Sequence, residues 1–254
     1  MKILSIDTSS NICGVSILED DNLICNLDAK TGRTHSENLM PMIDDAFSKT
    51  GLSLKDIDLL VCDVGPGSFT GIRIGTSTVK AFSDSLGIPC IGVSSLEALS
   101  YNVVDSRLVC SILDCKNDNC YFALYENNNG YYQELIEPQA ETIEPAIAIL
   151  KSYAQDNFEN EEITFVGDGA EIFKNQIKEN FEKATFSISN VLNSYNLGIC
   201  GYKKYQNGYD LEKEVLPLYL RKPQAQRQFE EKMKGLKNGK YWNSKNGINW
   251  FRIY

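Results

Sequence analysis

The chain has 254 residues, 43% hydrophobic and 23% charged, which is enough for one large or two medium globular cores and excludes a disordered or fibrous protein. No apolar run approaches the roughly 20 residues a membrane helix needs, and Met1 to Asp7 lacks a signal-peptide core, so a soluble, cytoplasmic protein is expected. Residues 221–254 hold nine Lys/Arg against two Glu, a tail of +7 on a body of −16, and such a body repels nucleic acid on average.

In chain order, Ile3 to Thr8, Gly14 to Leu18 and Leu23 to Leu27 are short β-type runs separated by turn composition, and predict a three-stranded antiparallel meander. Ser36 to Thr50 carries Leu39, Ile43, Ala46 and Phe47 at helical spacing, with Gly51 as a stop and Pro41 set to kink or delay the first turn. A strand at 58–64 runs into Gly65-Pro66-Gly67-Ser68-Phe69-Thr70-Gly71, followed by a helix over 72–86, a strand at Cys90 to Val93 and a helix from Ser95. Ser94 and Glu97 have the spacing of a capping box.

From Arg107 the order begins again. Leu108 to Leu113, Cys120 to Tyr125 and Tyr131 to Ile136 are β runs, with Asn127 to Gly130 a hairpin turn. A helix near 143–155, a strand at Ile163 to Val166, a Gly167-Asp168-Gly169 turn, a helix near 170–181, a strand at Thr185 to Ile188 and a helix from Val191 to Tyr205 complete the half. Both halves read β-β-β-α-β-α-β-α, which predicts a two-domain α/β protein with residues 1–105 and 106–225 as the domains and 226–254 as a basic, aromatic-rich extension. A single doubly wound sheet fits less well, because each half opens with three strands and no helix between them.

The glycine loop has the physics of an anion cradle: glycine admits close approach, and the amides of the next helix start are unpaired. It lacks the spacing of the common phosphate motifs, so tight strand-to-helix packing stands beside any ligand role. The eight cysteines form no Cys-x-x-Cys or zinc spacing, and free, reduced, mostly buried thiols are expected. One histidine, His35, cannot supply a zinc hydrolase, and Gly67-Ser68-Phe69 is no nucleophile elbow.

The repeated plan resembles the actin-like, or ASKHA (ribonuclease-H-like), fold of actin, sugar kinases and Hsp70. Ile3 to Ser9, Thr34 to Pro41, Gly65 to Gly75, Gly92 to Leu96, Val166 to Ala170 and Leu218 to Arg221 together resemble the bacterial TsaB (YeaZ) family in order from residue 1 to about 225. That resemblance implies an accessory, non-catalytic subunit in forming N6-threonylcarbamoyladenosine at position 37 of tRNAs that read ANN codons. It implies pairing with a TsaD-like catalytic paralogue, joined by a TsaE-like ATPase, self-pairing as a homodimer when alone, and tRNA contact through the complex only. No metal or cofactor of its own is expected, with ATP and metal on the partners and weak ATP or ADP binding left open.

Asp7, Thr8, Ser9, Gly65, Gly67, Ser68, Thr70, Gly71 and Arg73 are the candidates for a nucleotide-type loop, vestigial because Thr8-Ser9-Ser10 lacks the glycine of active members. Leu39, Met42, Ile43, Ala46, Phe47, Ile74 and Thr78 are the candidates for a partner interface, since the 36–50 helix carries an apolar arc wider than one buried stripe needs and the next helix is small enough for close packing into a four-helix bundle. The reading left open beside this one is a nucleotide-dependent phosphotransferase using Asp7 and the glycine loop. The tail, with Trp242 and Trp250 among its lysines, has a composition that binds RNA by charge and stacking and that suits an extension packed on the body equally well.

Overall fold

Three apolar runs separated by turns fold back on one another at the start of the chain: β1 (Lys2–Asp7), β2 (Cys13–Glu19) and β3 (Asn22–Ala29) pair antiparallel as the expected meander. The chain then crosses through α1 (His35–Thr50) to β4 (Leu59–Gly65), and through α2 (Phe69–Leu86) to β5 (Cys90–Ser94), giving a sheet of order β3-β2-β1-β4-β5. The central strands β1 and β4 are buried almost throughout, as covered parallel neighbours must be, whereas the edge strand β3 is partly exposed.

The second half repeats this. After the short helix α3 (Ser95–Ser100), strands β6 (Leu108–Asp114), β7 (Asn119–Asn128) and β8 (Tyr131–Thr142) form a meander, α4 (Ile143–Asn157) leads to β9 (Ile163–Val166), and β10 (Ala184–Phe186) closes a sheet of order β10-β9-β6-β7-β8. Both sheets therefore share one order, with each half's fifth strand at one edge and its third at the other. The helix expected over 170–181 is broken at Phe173 into α5 (Asp168–Ile172) and α6 (Lys174–Asn180). The chain ends its regular structure with α7 (Ser194–Gln206). This computed structural model describes residues 1–30, 34–158, 161–211 and 214–221. Met1–Leu220 is one compact unit, and the basic, aromatic-rich stretch 226–254 lies outside the described residues.

Three apolar clusters explain the layering. One lies between β1, β2, β4 and the helices α1 and α2, with Leu4, Ile6, Ile43, Ala46, Leu60 and Val79. Another lies between the second sheet and α4 to α6, with Phe122, Leu150, Phe165 and Ile177. The third joins the sheets: Ile3, Leu18 and Val61 of the first, Val109, Ala123 and Tyr125 of the second, and α3 and α7 between them. Helix α7, expected to close the second repeat, thus lies on the first sheet, where Gly198 and Gly201 let it approach. A β-carbon at Gly201 would come within 2.4 Å of Val61. No helix among the described residues is long and apolar enough to cross a membrane.

Candidate functional site

Helix α2 begins against the turn that follows β1, and the glycines there are consumed by backbone contact. A β-carbon at Gly67 would stand 2.3 Å from the Ser9 carbonyl oxygen, and one at Gly71 only 1.8 Å from that of Thr8. The Ser68 amide donates to the Ser9 carbonyl at 2.7 Å, the Gly71 amide to the Ser68 hydroxyl at 3.2 Å, and the Thr8 hydroxyl to the Gly71 carbonyl at 2.7 Å. The expectation of unpaired amides at this helix start is corrected for Ser68, whose acceptor is the turn's Ser9 carbonyl, and for Gly71, which is capped by the Ser68 hydroxyl. Thr8 and Ser9 are buried; Ser68, Thr70 and Arg73 are exposed.

Arg73 is engaged by Tyr219. Its Nε donates to the Tyr219 hydroxyl at 2.8 Å, and Tyr219 stacks on Phe69 with centroids 4.9 Å apart. The segment carrying Tyr219 runs back along the first sheet, where the Leu218 amide donates to the Val64 carbonyl and Val215 enters the core. Gly65, at φ +103°, sits under the Leu218 carbonyl and the Ile72 side chain, a conformation suited to glycine.

Beneath the turn lie two acidic side chains. Asp7 ends β1 and Asp63 lies near the end of β4; both are buried. Asp7 Oδ1 accepts from the Ser9 amide at 2.8 Å, and Asp63 Oδ1 from the Gly65 amide at 2.6 Å and the Ser95 hydroxyl at 2.7 Å. Burial pushes Asp7 up to about 6 and Asp63 well above the usual carboxylate range; the charge of Asp7 raises Asp63 further, whereas hydrogen bonding to Asp63 draws Asp7 down. Asp63 and Ser95 went unassigned in the sequence, where the available signal was an acidic residue closing a second apolar run as Asp7 closes the first.

Helix α1 starts at His35, so Pro41 lies within it and does not delay it. Its start is fixed by Glu37, whose carboxylate accepts from the Thr34 amide at 3.0 Å, and by His35, whose Nε2 donates to the Ser10 carbonyl at 2.8 Å. The capping box expected at Ser94 and Glu97 is absent: Ser94 accepts from the Leu96 amide, and the Glu97 carboxylate pairs with Lys204 of α7 at 2.8 Å.

The interface candidates divide in two. Leu39, Ile43 and Ala46 are buried in the chain's own core and offer nothing to a partner, which corrects their assignment; they occupy the stripe of α1 that faces the sheet. Met42, Phe47 and Ile74 pack on that core only partly, and Thr78 is half-buried. Met40, in the same arc, is 44% exposed.

In the second half, Gly167-Asp168-Gly169 packs on the end of β6: a β-carbon at Gly167 would meet the Ile112 carbonyl at 2.2 Å, and Asp168 accepts from the Asp114 amide at 2.9 Å. Two surface pockets, of about 340 and 660 Å³, flank α4 and include no residue of the Thr8–Ser10 turn or the glycine loop. No group of three or more His, Cys, Asp or Glu suited to a metal occurs among the described residues.

The family model for TsaD, tRNA N6-adenosine threonylcarbamoyltransferase, matches residues 29–229. The tRNA threonylcarbamoyladenosine biosynthesis protein TsaB of Bacillus subtilis (strain 168) is 29% identical over 180 residues, 70% of this chain and 76% of that protein. An uncharacterized protein with similarity to peptidase YEAZ from Pseudomonas aeruginosa has a solved structure that matches with a TM-score of 0.72 at 22% identity, covering 87% of this chain and 99% of that one. A ROK hexokinase from Thermus thermophilus matches at 0.52 with 9% identity, covering 82% and 100%. These two structures bear on the fold alone, which is the duplicated actin-like, ASKHA architecture.

Proposed function

Because the chain belongs to the TsaB (YeaZ) family within the wider TsaD family, we propose that it takes part in tRNA threonylcarbamoyladenosine biosynthesis as a non-catalytic subunit. It pairs with a TsaD-like catalytic paralogue, is joined by a TsaE-like ATPase, and reaches tRNA only through that complex. The observation that carries the non-catalytic reading is the filled turn. The backbone of Thr8 and Ser9 occupies the space in front of Gly67 and Gly71, and Arg73 is held by Tyr219. An anion cradle needs its amides and its cation directed at the ligand, and here the Ser68 and Gly71 amides and Arg73 are directed at the chain itself.

The pairing surface is the outer side of α1 and α2, where Met40, Met42, Phe47, Ile74 and Thr78 combine apolar character with exposure. The experiment is light scattering after size exclusion on this protein mixed with the TsaD-like protein of its own organism, comparing wild type with Met40→Glu. A one-to-one complex that the glutamate abolishes, with circular dichroism unchanged, supports both the role and the surface. Absence of any complex with the wild-type chain sinks the scaffold reading.

The alternative, a nucleotide-dependent phosphotransferase, draws on one observation: two carboxyls at the ends of adjacent strands in a fold shared with a hexokinase. A site filled at a hundred times its Kd stabilises by about 2.7 kcal/mol. We expect no shift in melting temperature with millimolar ATP and Mg²⁺; a shift of several degrees would favour the enzyme.

A further inference from the structure

Strands β1 and β4 run parallel and in register from Ile3 beside Leu59 to Ile6 beside Cys62. The next residue on each strand is an aspartate, so Asp7 and Asp63 stand side by side at the end of the sheet, about 4.8 Å apart in strand spacing. The second sheet carries nothing comparable: its β6 and β9 register ends at Ser111 beside Val166, and the next residues are Ile112 and Gly167. Both carboxyls are buried. Asp7 Oδ1 is satisfied by the Ser9 amide, and the Asp63 oxygens by Gly65 and Ser95, but Asp7 Oδ2 is buried with no partner.

A carboxylate oxygen buried without a donor is heavily penalised, whereas a carboxylic acid brings its own hydrogen. Among the described residues, none of the groups that act on the pair is a cation. Asp28 of β3 adds a further negative charge near Asp7; the thiols of Cys13 on β2 and Cys62 on β4 are pushed up by burial and by the same aspartates; Ser9 and Ser95 are neutral donors. His35 of α1 meets the same turn one residue further on, at the Ser10 carbonyl.

We propose that Asp7 and Asp63 share one proton and so form a clasp that holds the Thr8–Ser10 turn against the glycine loop, and that loss of this proton loosens the turn on which α1 and α2 start. No substrate reaches the pair, since both carboxyls lie under the turn, so the proton serves the conformation. Coulomb repulsion between two adjacent buried carboxylates is what forces the sharing. The folded-state values lie above the unfolded ones, so the native chain binds the extra proton. The stability this contributes is fully present in acid and is lost as the pH rises through about 6 and beyond.

The test uses the full chain, melted between pH 5 and pH 9 as wild type, Asp63→Asn and Asp7→Asn. An asparagine keeps the acceptor for the amide and puts an –NH₂ where the shared proton stood. The wild type should lose melting temperature across this range while each variant stays flat, with a gap of roughly 3–6 °C by pH 9. The single histidine gives a local readout: the His35 ring resonances should show a pH-dependent inflection that disappears in Asp63→Asn. Parallel slopes in all three proteins, or a His35 curve unchanged by the substitution, overturn the clasp. So does failure of both variants to fold at pH 5, because a neutral isostere of a protonated pair keeps the fold.

Discussion

Gly71 lies so close to Thr8 that a β-carbon on it would come within 1.8 Å of the Thr8 carbonyl oxygen, while the Thr8 hydroxyl donates to the Gly71 carbonyl at 2.7 Å. Helix and turn are therefore fitted backbone to backbone, and no flexible side chain is available to give way. Gly71→Ala should cost about 3 kcal/mol or more, at the upper end of overpacking. Gly87→Ala is the control, since Gly87 has open space around it at φ +70°, and should cost only about 1–2 kcal/mol from its backbone conformation. Urea unfolding of both measures this; equal costs would mean that the turn moves aside freely.

The exposed arc of α1 separates binding from folding. Met40→Glu should change stability by no more than about 0.5 kcal/mol and weaken association with the catalytic paralogue at least tenfold. Ile43→Glu should instead unfold the chain, because Ile43 is buried in the same core cluster as Leu4, Ile6 and Leu60. Titration calorimetry and circular dichroism on the two variants tell these apart. A folded Ile43→Glu protein would show that α1 is seated differently.

Tyr219 joins α2 to the segment that returns along the first sheet. Replacing it by alanine removes the stack on Phe69 and the acceptor for Arg73, a loss of about 1–2 kcal/mol. Arg73→Ala should be milder, since Arg73 is exposed. In a double-mutant cycle the two changes should couple by about 0.5–1 kcal/mol; strict additivity would show that the contact contributes nothing.

Glu97 and Lys204 bridge α3 and α7, each side chain only 13% exposed. Lys204→Met leaves Glu97 without its cation in a low-dielectric setting and should destabilise by about 2–4 kcal/mol. The double variant with Glu97→Gln should recover most of that. Thermal melts of the three proteins decide it, and a double variant no better than the single would show that packing, not charge, is what Lys204 provides.

Much of the fold was legible in the chain because it rests on local alternation and on a repeated order. Runs such as Ile3 to Thr8 and Leu108 to Leu113 have the length and apolarity of central strands, and the hairpin at Asn129-Gly130 needs the positive φ that both residues adopt. The broken helix at Phe173 was not legible, since a 3.6-residue period continues across it. Nor was the capping of α1 by Glu37, although Thr34 and Glu37 have the same spacing as Ser94 and Glu97.

The candidate site was legible in its residue types but not in their use. By itself the sequence determined the glycines of the loop, the lone histidine, the acidic ends of β1 and β4, and the apolar arc of α1. Only the tertiary structure decided that the glycines meet the Thr8–Ser9 backbone, that Arg73 turns to Tyr219, that Leu39, Ile43 and Ala46 are spent on the core while Met40 faces outward, and that α7 lies on the first sheet. The physical reason is distance along the chain. Pattern and propensity act over a few residues, whereas a β-carbon clash across 63 positions, as between Thr8 and Gly71, or the meeting of Asp7 with Asp63, exists only once parallel strands have fixed their register.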